Sequence, residues 1–274
     1  MSDARPLSRP VSTNESVPIL HFDETRSAII EPSMWHDPLD VMPANGVITW
    51  MADAFEACLA ANDHEEIYHF PIESSVLSVW RVERDEGPVA LALAQVGAPI
   101  SAILLETMGA LGVKRLVSVG SAGGLVAEHP PGTVVVPSAA IRDEGVSYHY
   151  AAPGSLAAPH SGVQTLLLAS MLDNQISATT GIVWTTDAFY RETEDKVARR
   201  LAEGAIAVDM EAASLATVAD FRGLEYGCAV YMADTLHSEA WDPSELVVRN
   251  TEFRHRLLAT ALDVVLIDPS PASG

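Results

Sequence analysis

Val208-Asp209-Met210-Glu211-Ala212-Ala213-Ser214-Leu215 takes the sequence out of an apolar run, Ala205 to Val208, past two acids and straight into a helix. Ala212, Ala213, Leu215, Ala216, Val218, Ala219 and Phe221 supply a mostly apolar helix with few breakers. A strand passing directly into a helix is the building unit of an α/β fold. On this reading Glu211 falls in the first helical turn, where free backbone N–H groups and the helix dipole favour negative charge. Ordinary first-turn acids occupy such places. A carboxylate between two apolar segments, however, is costly to bury without a partner, so it either reaches solvent or has something to bind.

The same alternation continues outward. Downstream, Tyr226 to Ala233 reads as a buried strand leading to Asp234, and Pro243 to Leu266 as a closing helix. Upstream, Lys114 to Val119 is a strand that runs into Gly120-Ser121-Ala122-Gly123-Gly124. Thr133 to Pro137 and Thr179 to Thr186 are further strands, with helices over 161–173 and over Tyr190 to Glu203. Nearer the N-terminus, Val76 to Val82 and Val89 to Val96 are strands joined by the turn Asp85-Glu86-Gly87-Pro88. Pro99 opens a helix whose buried stripe is Ile100, Ile103, Leu104, Met108 and Leu111. Residues 47–61 show helical spacing, and Ser27 to Ile30 reads as a buried strand. The expectation is one α/β domain over residues 17–266 with a central mixed sheet, between a flexible arm at 1–16 and a flexible tail at 267–274.

The bulk numbers narrow the function. With 274 residues and 48% hydrophobic composition the chain can bury a substantial core. A formal charge of −21 argues against nucleic-acid or anionic-membrane partners, which need a basic footprint. Cys58 and Cys228 are too few for a disulfide framework, which points to a reducing cytoplasm. No apolar run approaches the roughly 20 residues of a membrane span, and no signal-peptide core is visible.

Several stretches have the composition of ligand contacts. Glycines at Gly120, Gly123 and Gly124 let backbone approach a ligand closely, and Ser121 adds a hydroxyl. Gln95-Val96-Gly97-Ala98-Pro99 closes a second strand in the same manner. Thr185-Thr186-Asp187-Ala188-Phe189-Tyr190 ends a strand in hydroxyls, an acid and two aromatics able to stack on a flat ligand. Arg142 to Tyr150 is polar, aromatic and loop-like. No metal is expected, since there is neither His-Glu-x-x-His nor a paired Cys-x-x-Cys, and no Gly-x-Ser-x-Gly elbow offers a serine nucleophile.

Taken in order, Gln95–Ser101, Val119–Leu125, Arg142–Tyr150, Thr185–Tyr190, Val208–Ala213 and Tyr231–Asp234 resemble the nucleoside phosphorylase family. That family includes uridine phosphorylase, the hexameric purine nucleoside phosphorylases and related nucleosidases. The resemblance implies a single domain whose sheet partly closes into a barrel, assembled as a homo-oligomer, a dimer or a hexamer. It implies cleavage of the N-glycosidic bond of a nucleoside, with no cofactor and with phosphate as co-substrate. Glu211 resembles the acid that holds the ribose hydroxyls, and Met210 the residue packing on the sugar. Asp234 resembles the acid at purine N7, Phe189 the residue stacking on the base, and the Tyr190 backbone a reader of its edge. Thr186, Gly97 and Gly120 fall beside these positions, and Ser121 on the acceptor side. His21 resembles a histidine lent to a neighbouring subunit's ribose site.

The chain also departs from the family. Phosphorolytic members hold phosphate with several arginines. Here Ser118 stands before the glycine-rich turn, His36 aligns with the first-loop arginine and Pro32 with its glycine, and the neighbour-donated arginine falls near Ser75. Arg142, Arg191 or Arg81 could rebuild a phosphate site. Water is the alternative acceptor, with Glu31, His36 or Asp37 to activate it. The Gln and Arg that uridine phosphorylases place after Phe189-Tyr190 are absent, which favours a purine.

Overall fold

The computed structural model describes residues 17–154, 156–236, 241, 243 and 250–268. Its chain order is β1 (Asn45–Thr49), α1 (Ala52–Ala61), β2 (His64–Ile72), β3 (Ser75–Val82), β4 (Val89–Leu93) and α2 (Ala98–Leu111). There follow β5 (Arg115–Gly124), β6 (Val134–Asp143), β7 (Leu156–Ala157), α3 (Ser161–Asp173), β8 (Ala178–Thr186), α4 (Glu194–Ala202), β9 (Ala205–Asp209), α5 (Ala212–Arg222), β10 (Glu225–Thr235) and α6 (Thr251–Val264). The expected arm and most of the expected tail lie outside the described residues, as do residues 244–249 of the expected closing helix.

One mixed sheet organises everything. Its path runs β10-β6-β8-β9-β5-β1-β4-β3-β2, and an additional pairing of β10 with β5 closes the first five strands into a barrel. The other four extend from the barrel as an open sheet. β5 is the hinge of this arrangement, pairing in parallel with β1 and β10 and antiparallel with β9. A strand with three neighbours is buried on all sides, which is why Leu116, Val117 and Val119 are unbroken by charge.

Helices cover both faces. On one side Ile48, Ala90 and Ala92 of the sheet pack with Leu104, Leu105 and Met108 of α2 and with Leu215 and Val218 of α5. On the other, Val47, Leu91, Val117 and Val119 pack with Phe55 of α1, Leu167 of α3 and Leu258 and Leu262 of α6. Among the described residues no helix is long and apolar enough to cross a membrane.

Several local expectations fail: the helix expected from Tyr190 starts at Glu194, and the glycines at 120–124 continue β5 instead of turning. Ser27 to Ile30 forms no strand, and Ile29 is 95% exposed. Its neighbours explain this: Arg26 donates to the Phe221 carbonyl and Arg222 to Glu31 Oε2, so the segment is strapped over the end of α5 rather than threaded into the sheet. Residues 47–61 are not one helix; Val47, Ile48 and Thr49 belong to β1, and the helix starts at Ala52. A short apolar run satisfies both periodicities, and only the parallel pairing with β4 and β5 decides in favour of strand.

Candidate active site

The ends of three strands meet in one row. Val208 of β9 pairs with Gly123 of β5, and Gly123 pairs with Asp234 of β10. A bulge between Met232 and Asp234 shifts the β10 register at that point and re-aims the acid. Side chains crowd Gly123: a Cβ would lie 2.6 Å from Leu236 Cδ1, forcing that side chain to shift, and 3.1 Å from Asp234 Oδ1.

Asp209 makes the turn from β9 into α5. Its Oδ2 accepts the Ala212 amide at 2.7 Å and the Glu211 amide at 3.2 Å, while Oδ1 accepts the Thr185 hydroxyl at 2.6 Å. The helix start is thus satisfied by Asp209. Glu211, which precedes the first helical residue instead of lying in the first turn, is released from capping. Its Oε1 accepts the Gly97 amide at 2.6 Å. Gly97 stands at the N-terminus of α2 with φ +118°, a conformation that glycine adopts without strain.

Burial raises both acids. Desolvation pushes Asp209 up to about 6, against the bonds from Thr185, Ala212 and Glu211. Glu211 is pushed up to about 8, by desolvation first and by the neighbouring Asp209 charge second.

These groups line a cavity of about 140 Å³. Gly120, Ser121 and Gly123 of β5 form one wall, and Met210, Glu211 and Asp209 another. Asp234, Phe189 and Glu192 close the side leading to an outer chamber of about 320 Å³, walled also by Tyr190, Leu236 and Trp241. Trp241 Nε1 donates to Asp234 Oδ2 at 2.6 Å. At the opposite limit stand Trp50, Val96, Ser118 and Cys228. Trp50 Nε1 donates to the Gln95 carbonyl at 3.0 Å, and its ring lies against Gly120, where a Cβ would come within 2.9 Å of it. Ser118 Oγ and Tyr226 Oη share a buried hydrogen bond at 2.6 Å.

Of the residues expected at a site, Gly120, Ser121, Met210, Glu211, Asp234 and Phe189 line the inner cavity, Gly97 bonds to Glu211, and Tyr190 lines the outer chamber. Thr186 is buried and accepts the Ala188 amide at 3.3 Å, outside both linings. His21 is exposed and lines neither chamber of its own chain.

Arg142 departs from expectation. It sits on β6, not in a loop, and donates to Ser147 Oγ and to the Ala151 and Ala152 carbonyls at 2.8–3.0 Å, with Tyr148 stacked on its guanidinium. It staples the 143–152 segment and faces neither chamber.

The first-loop alignment is also corrected. His36 is a packed core histidine, bonded to Tyr68 Oη at 2.7 Å and edge-on to Phe70; with Glu31 it lines a separate cavity. The loop that reaches the candidate site follows β1 and begins at Trp50, so neither His36 nor Pro32 stands there. Arg81 is paired with Glu83, and Arg191 lies outside both linings. Among the described residues no Lys, Arg or His lines either chamber.

Trp50, Glu192 and Cys228 were missed by sequence reasoning. For Trp50 a signal existed: ligands in parallel sheets bind beyond strand C-termini, and Trp50 directly follows β1. Reading 47–61 as helix concealed it. Among the described residues no group of three or more His, Cys, Asp or Glu could hold a metal ion.

Residues 46–266 match the family model described as the phosphorylase superfamily. Uridine phosphorylase from Treponema pallidum is 28% identical over 197 residues, covering 68% of this chain and 76% of the relative. Guanosine phosphorylase from Halorubrum lacusprofundi is 31% identical over 132 residues, covering 48% of this chain and 55% of the relative. In fold, uridine phosphorylase from Vibrio fischeri superposes with a TM-score of 0.72 at 21% identity, over 85% of this chain and 98% of that one. The model match begins at β1 and takes in the closed barrel and both strand-end acids, so the chain belongs to the phosphorylase superfamily, as its resemblance to the nucleoside phosphorylases implied.

Proposed function

We propose that this chain cleaves the N-glycosidic bond of a nucleoside, a purine nucleoside by preference, with Glu211 gripping the ribose and Asp234 attending the departing base. The observation that carries the reading is that Glu211 and Asp234 line one small cavity, with Met210 beside the first and Phe189 beside the second. Cleavage of this bond passes through a sugar with oxocarbenium character, and a carboxylate held against it stabilises the developing positive charge. Glu211 is suited to respond to that charge: burial pushes its carboxyl up to about 8, and a cationic sugar beside it favours the ionised form. Phe189 and Tyr190 offer aromatic faces to a flat base in the outer chamber.

The lining favours water as acceptor. Among the described residues it holds Asp209, Glu211, Glu192 and Asp234 and no basic side chain, which opposes a phosphate dianion in a chain of charge −21. Phosphate is the second reading, supported by the names of the related uridine and guanosine phosphorylases. Assembly as a dimer or hexamer, which would also bring His21 to a neighbour's ribose, is supported by exposed apolar side chains such as Ile29, Ile30, Met34 and Trp35. The two free thiols, Cys58 and Cys228, suit a reducing cytoplasm.

The test is release of free base from a panel of purine and pyrimidine nucleosides, with and without millimolar phosphate. Hydrolysis predicts equal rates in the two conditions, and phosphorolysis predicts release only with phosphate and formation of pentose 1-phosphate. Glu211→Ala is expected to lower kcat by about 10²–10³-fold, the range for losing one charge-stabilising group. No release from any nucleoside overturns the proposal.

A further inference from the structure

We propose that Glu192 is a second acid on the leaving-base side, and that Glu192 and Asp234 together hold one proton at neutral pH and surrender it to the departing base. This rests on the glycosidic-bond reading above. Glu192, Asp234, Phe189 and Leu236 are the residues common to the inner cavity and the outer chamber, so both carboxyls stand at the passage where a base would lie.

The two acids differ in their partners. Asp234 Oδ2 accepts the Trp241 indole N–H, and an indole can only donate, so that oxygen acts as acceptor. The Glu192 carboxyl has no hydrogen bond or ion pair among the described residues and is half-buried. Nor is Glu192 used to start α4, because Thr193 Oγ1 takes the Lys196 amide and caps the helix. A half-buried, unpaired carboxyl beside a second acid is the group on which the shared proton resides.

The surrounding charges agree. Burial, then the Asp234 charge, pushes Glu192 up to about 7, with Lys196 of α4 opposing. The Lys196 ammonium is engaged elsewhere, 3.4 Å from Asp143 Oδ2. Asp209 across the cavity adds negative potential, and among the described residues no basic side chain lines it. A group titrating near neutrality is suited to general acid catalysis.

In the step, the bond between the sugar C1′ and the base nitrogen breaks, and its electron pair stays on the base. A ring nitrogen takes the proton from the Glu192–Asp234 pair, leaving two carboxylates. Water adds to C1′ and loses a proton, which restores the pair. The sum is nucleoside plus water giving pentose and neutral base.

The experiment compares the wild-type chain with Glu192→Gln and Glu192→Asp on guanosine and inosine and on their 7-methyl derivatives, whose purines leave without a proton. Glu192→Gln is expected to lower kcat on the unmethylated substrates by about 10²-fold. KM should hardly move, the fall in wild-type kcat above pH 7 should vanish, and turnover of the 7-methyl substrates should stay near wild type. Glu192→Asp, which keeps the carboxyl, should recover part of the rate. Unchanged kcat in Glu192→Gln, or an equal loss on methylated and unmethylated substrates, overturns the role of Glu192 and leaves the glycosidic-bond reading standing. A wild-type chain that releases no base from any of the four overturns the role of Glu192, and the glycosidic-bond reading falls with it only if the wider panel of purine and pyrimidine nucleosides is also left intact.

Discussion

The amide of Gly97 and the carboxyl of Glu211, 114 residues apart in sequence, are joined by a 2.6 Å hydrogen bond at the N-terminus of α2. The bond fixes the acid against a helix start, where both the N–H group and the dipole favour its charge. It also ties the open sheet's last loop to the barrel, so the cavity is defined by two parts of the fold at once.

Gly97→Ala should therefore disturb the site more than its surroundings. Nothing lies within 4 Å of a Cβ placed there, so sterics with neighbours are not the issue; the φ of +118° is. Such a backbone costs a non-glycine residue about 1–3 kcal/mol, and relaxing it moves the amide away from Glu211. Thermal unfolding should show the loss, and nucleoside turnover should fall by more than the stability change accounts for. Wild-type kinetics in this variant would show the bond to be unimportant.

The raised titration of Glu211 has a consequence for stability. Its folded value of about 8 lies above the ordinary carboxyl value of 4.5, so the folded chain holds this proton over a range in which the unfolded chain has released it. Stability attributable to the group is full below the unfolded value and is lost as pH rises towards 8. Glu211→Gln removes the charge without removing an acceptor for Gly97. Its melting temperature should match wild type near pH 4 and exceed it at pH 8, by the equivalent of about 2–4 kcal/mol. Parallel melting curves across that range would contradict the burial argument.

Arg142 separates structural from functional arginine. Replacing it with Met leaves Ser147 Oγ and two backbone carbonyls without their donor, at about 1–3 kcal/mol for each group that water cannot reach. A drop in denaturation midpoint with kcat per folded molecule within about twofold of wild type is the expected result, since surface-independent packing losses act on stability. A large rise in KM at unchanged stability would return Arg142 to the substrate site.

The sequence by itself determined the α/β class, most of the strand and helix order, and the placing of Asp209, Glu211 and Asp234 at strand ends, because these depend on local patterning. An apolar run followed at once by Asp209, Glu211 and helix formers has few other readings, whereas Gly120 to Gly124, read as a turn, continue β5 because β9 and β10 pair with them. Only the tertiary structure decided how the parts are shared out. Asp209 caps the helix and Glu211 does not, a difference set by Thr185 of β8 and by Gly97 at the start of α2. Arg142 and His36 are consumed by structural bonds, while Trp50 and Glu192 face the cavity. Side chains of one type differ in role through the partners that fold brings to them, and barrel closure between β5 and β10 joins residues more than a hundred positions apart. No local window contains such a partner, so no local reading could assign it.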